Sequence, residues 1–87
     1  MAINNLRREY LVDMQRRRGL TDMDIALKTG TTPDYYRKIV SGTRQPDIAL
    51  SWIVKLSDAL ECTIDLFVRY EQIYQQAKID QYDGGPI

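Results

Sequence analysis

Histidine is absent from this 87-residue chain, and cysteine occurs once, at Cys62. These two scarcities exclude a zinc site built from Cys and His ligands, a Ser-His or Cys-His nucleophile and an internal disulfide. Cys62 is expected to act as a small buried hydrophobe. A Gly-rich phosphate loop and a nucleophile–base pair are also missing, so the expectation is a protein that is not an enzyme and uses no cofactor and no metal. No apolar run approaches the roughly 20 residues that span a bilayer. Met1 to Tyr10 is too polar to hold the apolar centre of a signal peptide. Together these absences point to a cytoplasmic protein with no membrane partner. Repeats and low-complexity tracts are absent as well, and proline is confined to Pro33, Pro46 and Pro86.

What is present is a hydrophobic fraction of 44%, ordinary for a globular chain and too high for a disordered one. The length suits one domain with a thin core, burying about 60–65% of the unfolded chain's surface. The net charge of zero hides an asymmetry: residues 1–46 carry nine Lys/Arg against five acids, and residues 47–87 carry three against seven. A basic and an acidic half suggest a face for nucleic acid and an opposite face turned away from it. Solvated helix faces would leave the same pattern.

Helical periodicity dominates. Ile3, Leu6, Tyr10, Leu11 and Met14 repeat at three and four residues and predict a helix over 3–18, closed by Arg16, Arg17 and Arg18 and ended by Gly19. The arginine run can equally complement the helix dipole or touch a nucleic-acid backbone. Thr21 is a cap candidate for a second helix, with Asp22 and Asp24 in its first turn, running to Thr29 and the turn at Gly30. Thr32-Pro33-Asp34 is a strong start for a third helix, which ends near Gly42. Pro46-Asp47 reads as the start of a fourth, with Ile48, Trp52, Ile53, Leu56 and Leu60 inward. Thr63 caps a fifth, whose apolar positions Leu66, Phe67, Tyr70, Ile73, Tyr74 and Ala77 continue the helical spacing. Residues 83–87 read as a flexible tail.

Two short helices joined by a Gly turn, the second one cationic, form the pattern of a DNA-reading helix-turn-helix. Ala26 is small where the two helices must approach, and Ile25, Tyr36 and Ile39 point into a shared core. On a wheel of about 100° per residue with Asp34 at zero, Tyr36, Ile39 and Val40 fall near 200°, 140° and 240°, the buried side. Asp34, Lys38 and Ser41 fall at about 0°, 40° and 340°, with Tyr35 and Arg37 flanking them. One polar, partly cationic face on a short helix is what the major groove admits.

Arg18-Gly19-Leu20-Thr21, Ile25-Ala26, Gly30, the stretch from Thr31 to Gly42, Pro46, and Leu60 through Phe67 together resemble the Cro/C1-type helix-turn-helix of phage repressors and bacterial XRE-like regulators. The resemblance covers roughly residues 6–67. It implies an all-α, five-helix, lambda-repressor-like DNA-binding domain over 1–67, with a C-terminal helical extension over 68–82. It implies a repressor-like transcriptional regulator of double-stranded DNA, of the kind phages and mobile elements carry. Carried over position by position, the base readers would be Pro33, Asp34, Tyr35, Arg37 and Lys38. The phosphate contacts would come from Thr21, Asp22, Ser41, Thr43 and Arg44. Lys38 or Arg37 would donate to guanine, Asp34 would accept from the cytosine amino group, and Tyr35 or Pro33 would touch a thymine methyl.

This chain departs from the family's pattern at several positions. Asp22 stands where a phosphate-donating Gln is usual. Pro33 and Asp34 occupy positions often held by Gln or Ser. Gln15 and Val40 replace an Arg–Glu pair, and the stretch from Gly42 to Leu60 is about two residues longer than usual. Met23 and Leu27 lie where polar residues are usual, and they are expected either to sit under the C-terminal segment or to form a patch for a protein partner. The 66–77 apolar stripe is either core or a dimer seam. The expectation is a homodimer through Tyr70, Ile73, Tyr74 and Ala77, binding paired half-sites. Asp22, Asp34 and the zero net charge also fit a protein-interaction module on the same fold, such as an antirepressor, an inhibitor or a polymerase-associated regulator.

Overall fold

In a computed structural model, the backbone is described for residues 6–83 and the side chains for residues 6–81. Five helices follow one another: α1 Glu9–Arg17, α2 Asp22–Thr29, α3 Pro33–Ser41, α4 Leu50–Ala59 and α5 Ile64–Asp83. No strand occurs among the described residues. The protein is all-α, as the periodicity implies. α1 begins at Glu9: residues 6–8, expected inside a helix over 3–18, are non-helical, and Asp83, expected to open the tail, closes α5; Ile3 and residues 84–87 lie outside the described residues.

The helix ends form where local chemistry satisfies the free backbone N–H groups. Thr21 and Asp24 make a reciprocal capping box on α2, with the Asp24 N–H donating to Thr21 Oγ1 at 3.1 Å and the Thr21 N–H to Asp24 Oδ2 at 2.8 Å. Those two bonds hold the Asp24 carboxyl below its ordinary range. Thr32 Oγ1 accepts from the Tyr35 N–H at 3.1 Å, and Pro33 occupies the first turn of α3. Thr63 Oγ1 caps α5 by accepting from the Leu66 N–H at 3.1 Å. Gly30 (φ 76) and Gly42 (φ 84) close α2 and α3 in the left-handed conformation that side chains resist.

The core is one cluster: Leu11 and Met14 of α1, Ile25 of α2, Tyr36, Ile39 and Val40 of α3, Leu56, Ala59 and Leu60 around α4, and Phe67 of α5. α2 packs on α3 and α4, α1 on α3, and α4 on α5. The buried side of α3 is therefore the one its periodicity predicts. Trp52 is only partly buried, tilted against Tyr35 with ring centroids 5.6 Å apart. Cys62 is half-buried, and burial pushes its thiol pKa up.

α4 begins at Leu50, not at Pro46-Asp47. Residues 45 and 46 stay non-helical, with their carbonyls held from outside. The carbonyls of Gln45 and Pro46 accept from Arg8 Nη2 at 2.6 and 3.3 Å, and Gln75 Nε2 also donates to the Pro46 carbonyl, at 2.7 Å. Gln45 sits at φ 54, and its Oε1 accepts from the Ala49 N–H at 3.1 Å, ending the loop at the first turn of α4.

The organising feature of the fold is Arg8, fully buried just before α1. Its guanidinium donates to both carboxylate oxygens of Glu71 (2.8 and 2.9 Å) and to the Ile39 carbonyl (2.6 Å), and it lies 4.8 Å from the centre of the Tyr74 ring. Glu71 also accepts from Tyr10 Oη and, at 2.7 Å, from Gln75 Nε2. α5 runs unbroken through residue 67, and its residues 71–75 are fastened to α1, to the end of α3 and to the 42–46 loop.

Candidate nucleic-acid interface

The polar face of α3, the start of α2 and the loop after α3 meet on one surface. Asp34, Arg37, Lys38 and Ser41 are exposed, while Pro33 and Tyr35 are half-buried. Tyr35 packs on Trp52, and its hydroxyl accepts from Gln45 Nε2 at 3.2 Å, which fixes the ring at the edge of the face. In the loop, Ser41 Oγ lies 2.9 Å from Thr43 Oγ1 and donates to the Lys38 carbonyl at 3.0 Å. The Arg44 N–H donates to the same carbonyl at 3.1 Å. The Arg44 side chain is exposed and bonds to no described residue. Gly42 turns the chain directly over α5: a Cβ there would stand 2.5 Å from Tyr74 Oη.

Charges on this surface are arranged in pairs. Asp22 Oδ2 accepts from Arg37 Nε at 2.9 Å, and Asp22 Oδ1 accepts from Gln15 Nε2 at 3.0 Å. Gln15 Oε1 in turn accepts from the buried Tyr36 hydroxyl at 2.9 Å. Burial and the nearby Asp22 charge raise the Tyr36 pKa. Asp22 is thus neutralised by a cation of α3 and does not stand as an isolated negative charge. The Arg37 terminal nitrogens donate to no described residue. Lys38 Nζ pairs with Asp34 at 3.2 Å, one turn apart and exposed. Surface pairs of this kind are worth about 0–1 kcal/mol, so an arriving polyanion separates them at small cost. Between α1, α2 and α3 lies a groove of about 270 Å³ with Val12 and Val40 as its apolar part and Arg7, Gln15, Asp22, Arg37 and Ser41 as its polar part.

Of the ten positions expected to contact DNA, Asp34, Arg37, Lys38, Ser41, Thr43, Arg44 and Thr21 are exposed, and Asp22, Pro33 and Tyr35 are half-buried. Thr21 is the most committed, since its hydroxyl already accepts the Asp24 N–H. Sequence reasoning missed Gln45, which braces Tyr35, and Arg7, which lines the groove. The nine Lys/Arg counted in residues 1–46 include Arg8, which the structure buries completely.

The positions expected at a dimer seam separate. Tyr74 is 7% exposed, enclosed by Arg8, Gly42 and Lys78, so it faces inward and is closed to a partner. Tyr70 stacks on Tyr10 with centroids 5.6 Å apart and is half-buried, as is Ala77. Ile73 is 62% exposed. Met23 and Leu27 are not covered by the C-terminal segment: they are 54% and 72% exposed, because α5 is spent on the Arg8 network and on α4. Arg18 serves a tertiary role, donating to the carbonyls of Leu60 and Glu61 at 3.2 and 3.0 Å.

No group of three or more Cys, Asp or Glu side chains that could hold a metal occurs among the described residues, and no described helix is long and apolar enough to cross a membrane. No protein-family model matches the chain, and neither a curated protein nor a solved structure does.

Proposed function

We propose that this protein is a sequence-specific binder of double-stranded DNA, a lambda-repressor-like transcriptional regulator that inserts α3 into the major groove. The observation that carries this reading is the α3 face itself. Asp34, Arg37 and Lys38 project from a helix whose opposite side, Tyr36, Ile39 and Val40, is buried, and the Ser41–Arg44 loop stands beside them with an unpaired arginine. At nine residues the helix is short enough to enter the groove, and Thr32 caps its first turn.

In this reading Lys38 leaves Asp34 to donate to guanine, and Asp34 accepts from a cytosine amino group. Arg37 reaches a base or a phosphate with its terminal nitrogens while its Nε stays on Asp22. Arg44, Thr43 and Ser41 grip the backbone. The Asp22 departure is tolerable because Arg37 and Gln15 occupy both carboxylate oxygens. Selection of binders from a random duplex pool tests the proposal. A recovered motif, lost on Lys38→Ala, supports it, and failure to recover any motif overturns it.

A second reading is favoured by one observation. Met23 and Leu27 stand exposed together on α2, and each cation of α3 is already paired with an acid. That is the surface of a protein-interaction module on the same fold. The same selection experiment separates the two readings, since the module predicts weak, sequence-indifferent binding.

A further inference from the structure

The two arginine–carboxylate pairs that join helices in this chain differ in geometry. Glu71 receives the Arg8 guanidinium side-on, with Nε on one carboxylate oxygen at 2.8 Å and Nη2 on the other at 2.9 Å. Asp22 receives Arg37 through Nε alone, on Oδ2 at 2.9 Å. Its other oxygen is held from α1, where Gln15 Nε2 donates to Oδ1 at 3.0 Å.

Gln15 is itself held in one orientation. An ionised carboxylate only accepts, so the amide must present Nε2 to Asp22 and its oxygen elsewhere. That oxygen accepts from the Tyr36 hydroxyl at 2.9 Å. Tyr36 is fully buried in the core and Gln15 is half-buried, so the chain of bonds runs from the core to the exposed Arg37.

We propose that Gln15 is a positioning residue for DNA reading: by holding Asp22 Oδ1 it keeps the carboxylate off the terminal nitrogens of Arg37, and that edge stays open to guanine. The proposal rests on α3 reading DNA and adds to it a residue of α1 that touches no base. Guanine presents O6 and N7 side by side in the major groove, a pair of acceptors matched by two parallel N–H donors of arginine. Without Gln15, Asp22 turns to grip Nε and Nη2 together, as Glu71 grips Arg8, and one of the two terminal nitrogens is spent. Gln15 acts only through Asp22, so its effect vanishes where Asp22 cannot close on Arg37.

The test takes the motif recovered from a random duplex pool and varies it one base pair at a time, with affinities read by fluorescence anisotropy at a temperature where every variant is folded. Arg37→Ala marks the guanine that Arg37 reads. Gln15→Met should lower the preference for guanine at that position by about three- to tenfold, part of the discrimination of a bidentate contact. Preferences elsewhere, including those lost on Lys38→Ala, should stay. Gln15→Glu keeps an acceptor for Tyr36 but cannot donate to Asp22, and it should lower the same preference at least as much. In an Asp22→Asn background, which leaves one acceptor oxygen, Gln15→Met should change the preference by less than about twofold. A motif with no guanine preference that depends on Arg37, a loss on Gln15→Met spread equally over all positions, or the same loss in the Asp22→Asn background would overturn the proposal and leave the reading of α3 standing. A pool that yields no motif would overturn that reading and this proposal with it.

Discussion

Replacing Glu71 by glutamine tests how α5 is fastened to α1, to the end of α3 and to the loop that follows it. The carboxylate takes four donors: Arg8 Nε and the Tyr10 hydroxyl on one oxygen, Arg8 Nη2 and Gln75 Nε2 on the other. Glutamine keeps the size but removes the charge, and it turns one acceptor into an NH₂ that faces two donors. Arg8, with a fully enclosed side chain, is then a buried cation without a counter-charge. Removing one partner of a buried pair costs about 3–5 kcal/mol. A chain of this length has a total stability of about 4–13 kcal/mol, so the loss is a large fraction of the whole.

Urea unfolding followed by far-UV circular dichroism reads this as a fall in midpoint at unchanged slope. Combining Glu71→Gln with Arg8→Met should cost less than the sum of the single changes, with a coupling of about 0.5–3 kcal/mol. Recovery is incomplete, because without Arg8 the Gln45 carbonyl loses its donor and the Ile39 carbonyl keeps only the Gly42 N–H. A Glu71→Gln protein within about 1 kcal/mol of the parent, or strictly additive single changes, would refute the reasoning.

Four further outcomes follow from the same geometry. Burial raises the Glu71 carboxyl pKa, but the bonds from Arg8, Tyr10 and Gln75 and the Arg8 charge outweigh it and hold the group below its ordinary 4.5. Its contribution is therefore complete above that value and is lost as pH falls through the lower folded value. Glu71→Gln should flatten that part of an acid titration of stability. Tyr10 and Tyr36, raised mainly by burial, act in the opposite sense: stability should decline above pH 10.0, where the unfolded chain ionises first, as absorbance-monitored alkaline unfolding would show. Gly42→Ala places a Cβ against Tyr74 Oη at positive φ and should cost more than about 1 kcal/mol, with partial relief from Tyr74→Phe in the same denaturation assay. Asp22→Asn frees Arg37 and removes a negative charge from the surface, so fluorescence anisotropy with duplex DNA at low salt should show tighter binding by about threefold to tenfold; weaker binding would mean that Asp22 positions Arg37 productively.

The helices were legible because each rests on local chemistry. Caps at Thr21, Thr32 and Thr63, the turn at Gly30, and the buried triplet Tyr36, Ile39 and Val40 can all be read within a few residues of sequence. What failed was long-range. Arginines are almost never fully buried unless paired, and Arg8's partner lies 63 residues further on, with no local sign of the link. The same bond network holds the Gln45 and Pro46 carbonyls, so Pro46-Asp47 looked like a helix start and was not one. Periodicity marked the apolar side of α5 but did not divide it, and only the structure separates Tyr74, turned in toward Arg8, from Leu66 and Ile73, left outside. The surface around α3 was legible by position. Its charge state was not, because the Asp22–Arg37 pair joins residues 15 apart in different helices.

The central claim is that α3 reads DNA sequence, and selection from a random duplex pool followed by a salt titration of the recovered site tests it most directly. The account predicts a defined motif bound at least ~10³ more tightly than random duplex. Log affinity should fall linearly with log salt, by about 0.9 for each phosphate neutralised. The loss on Lys38→Ala should be about 1–3 kcal/mol at that motif and smaller elsewhere. A pool that yields no motif, with binding weak and equal on all sequences at low salt, would contradict it and leave the exposed Met23 and Leu27 as the surface to pursue.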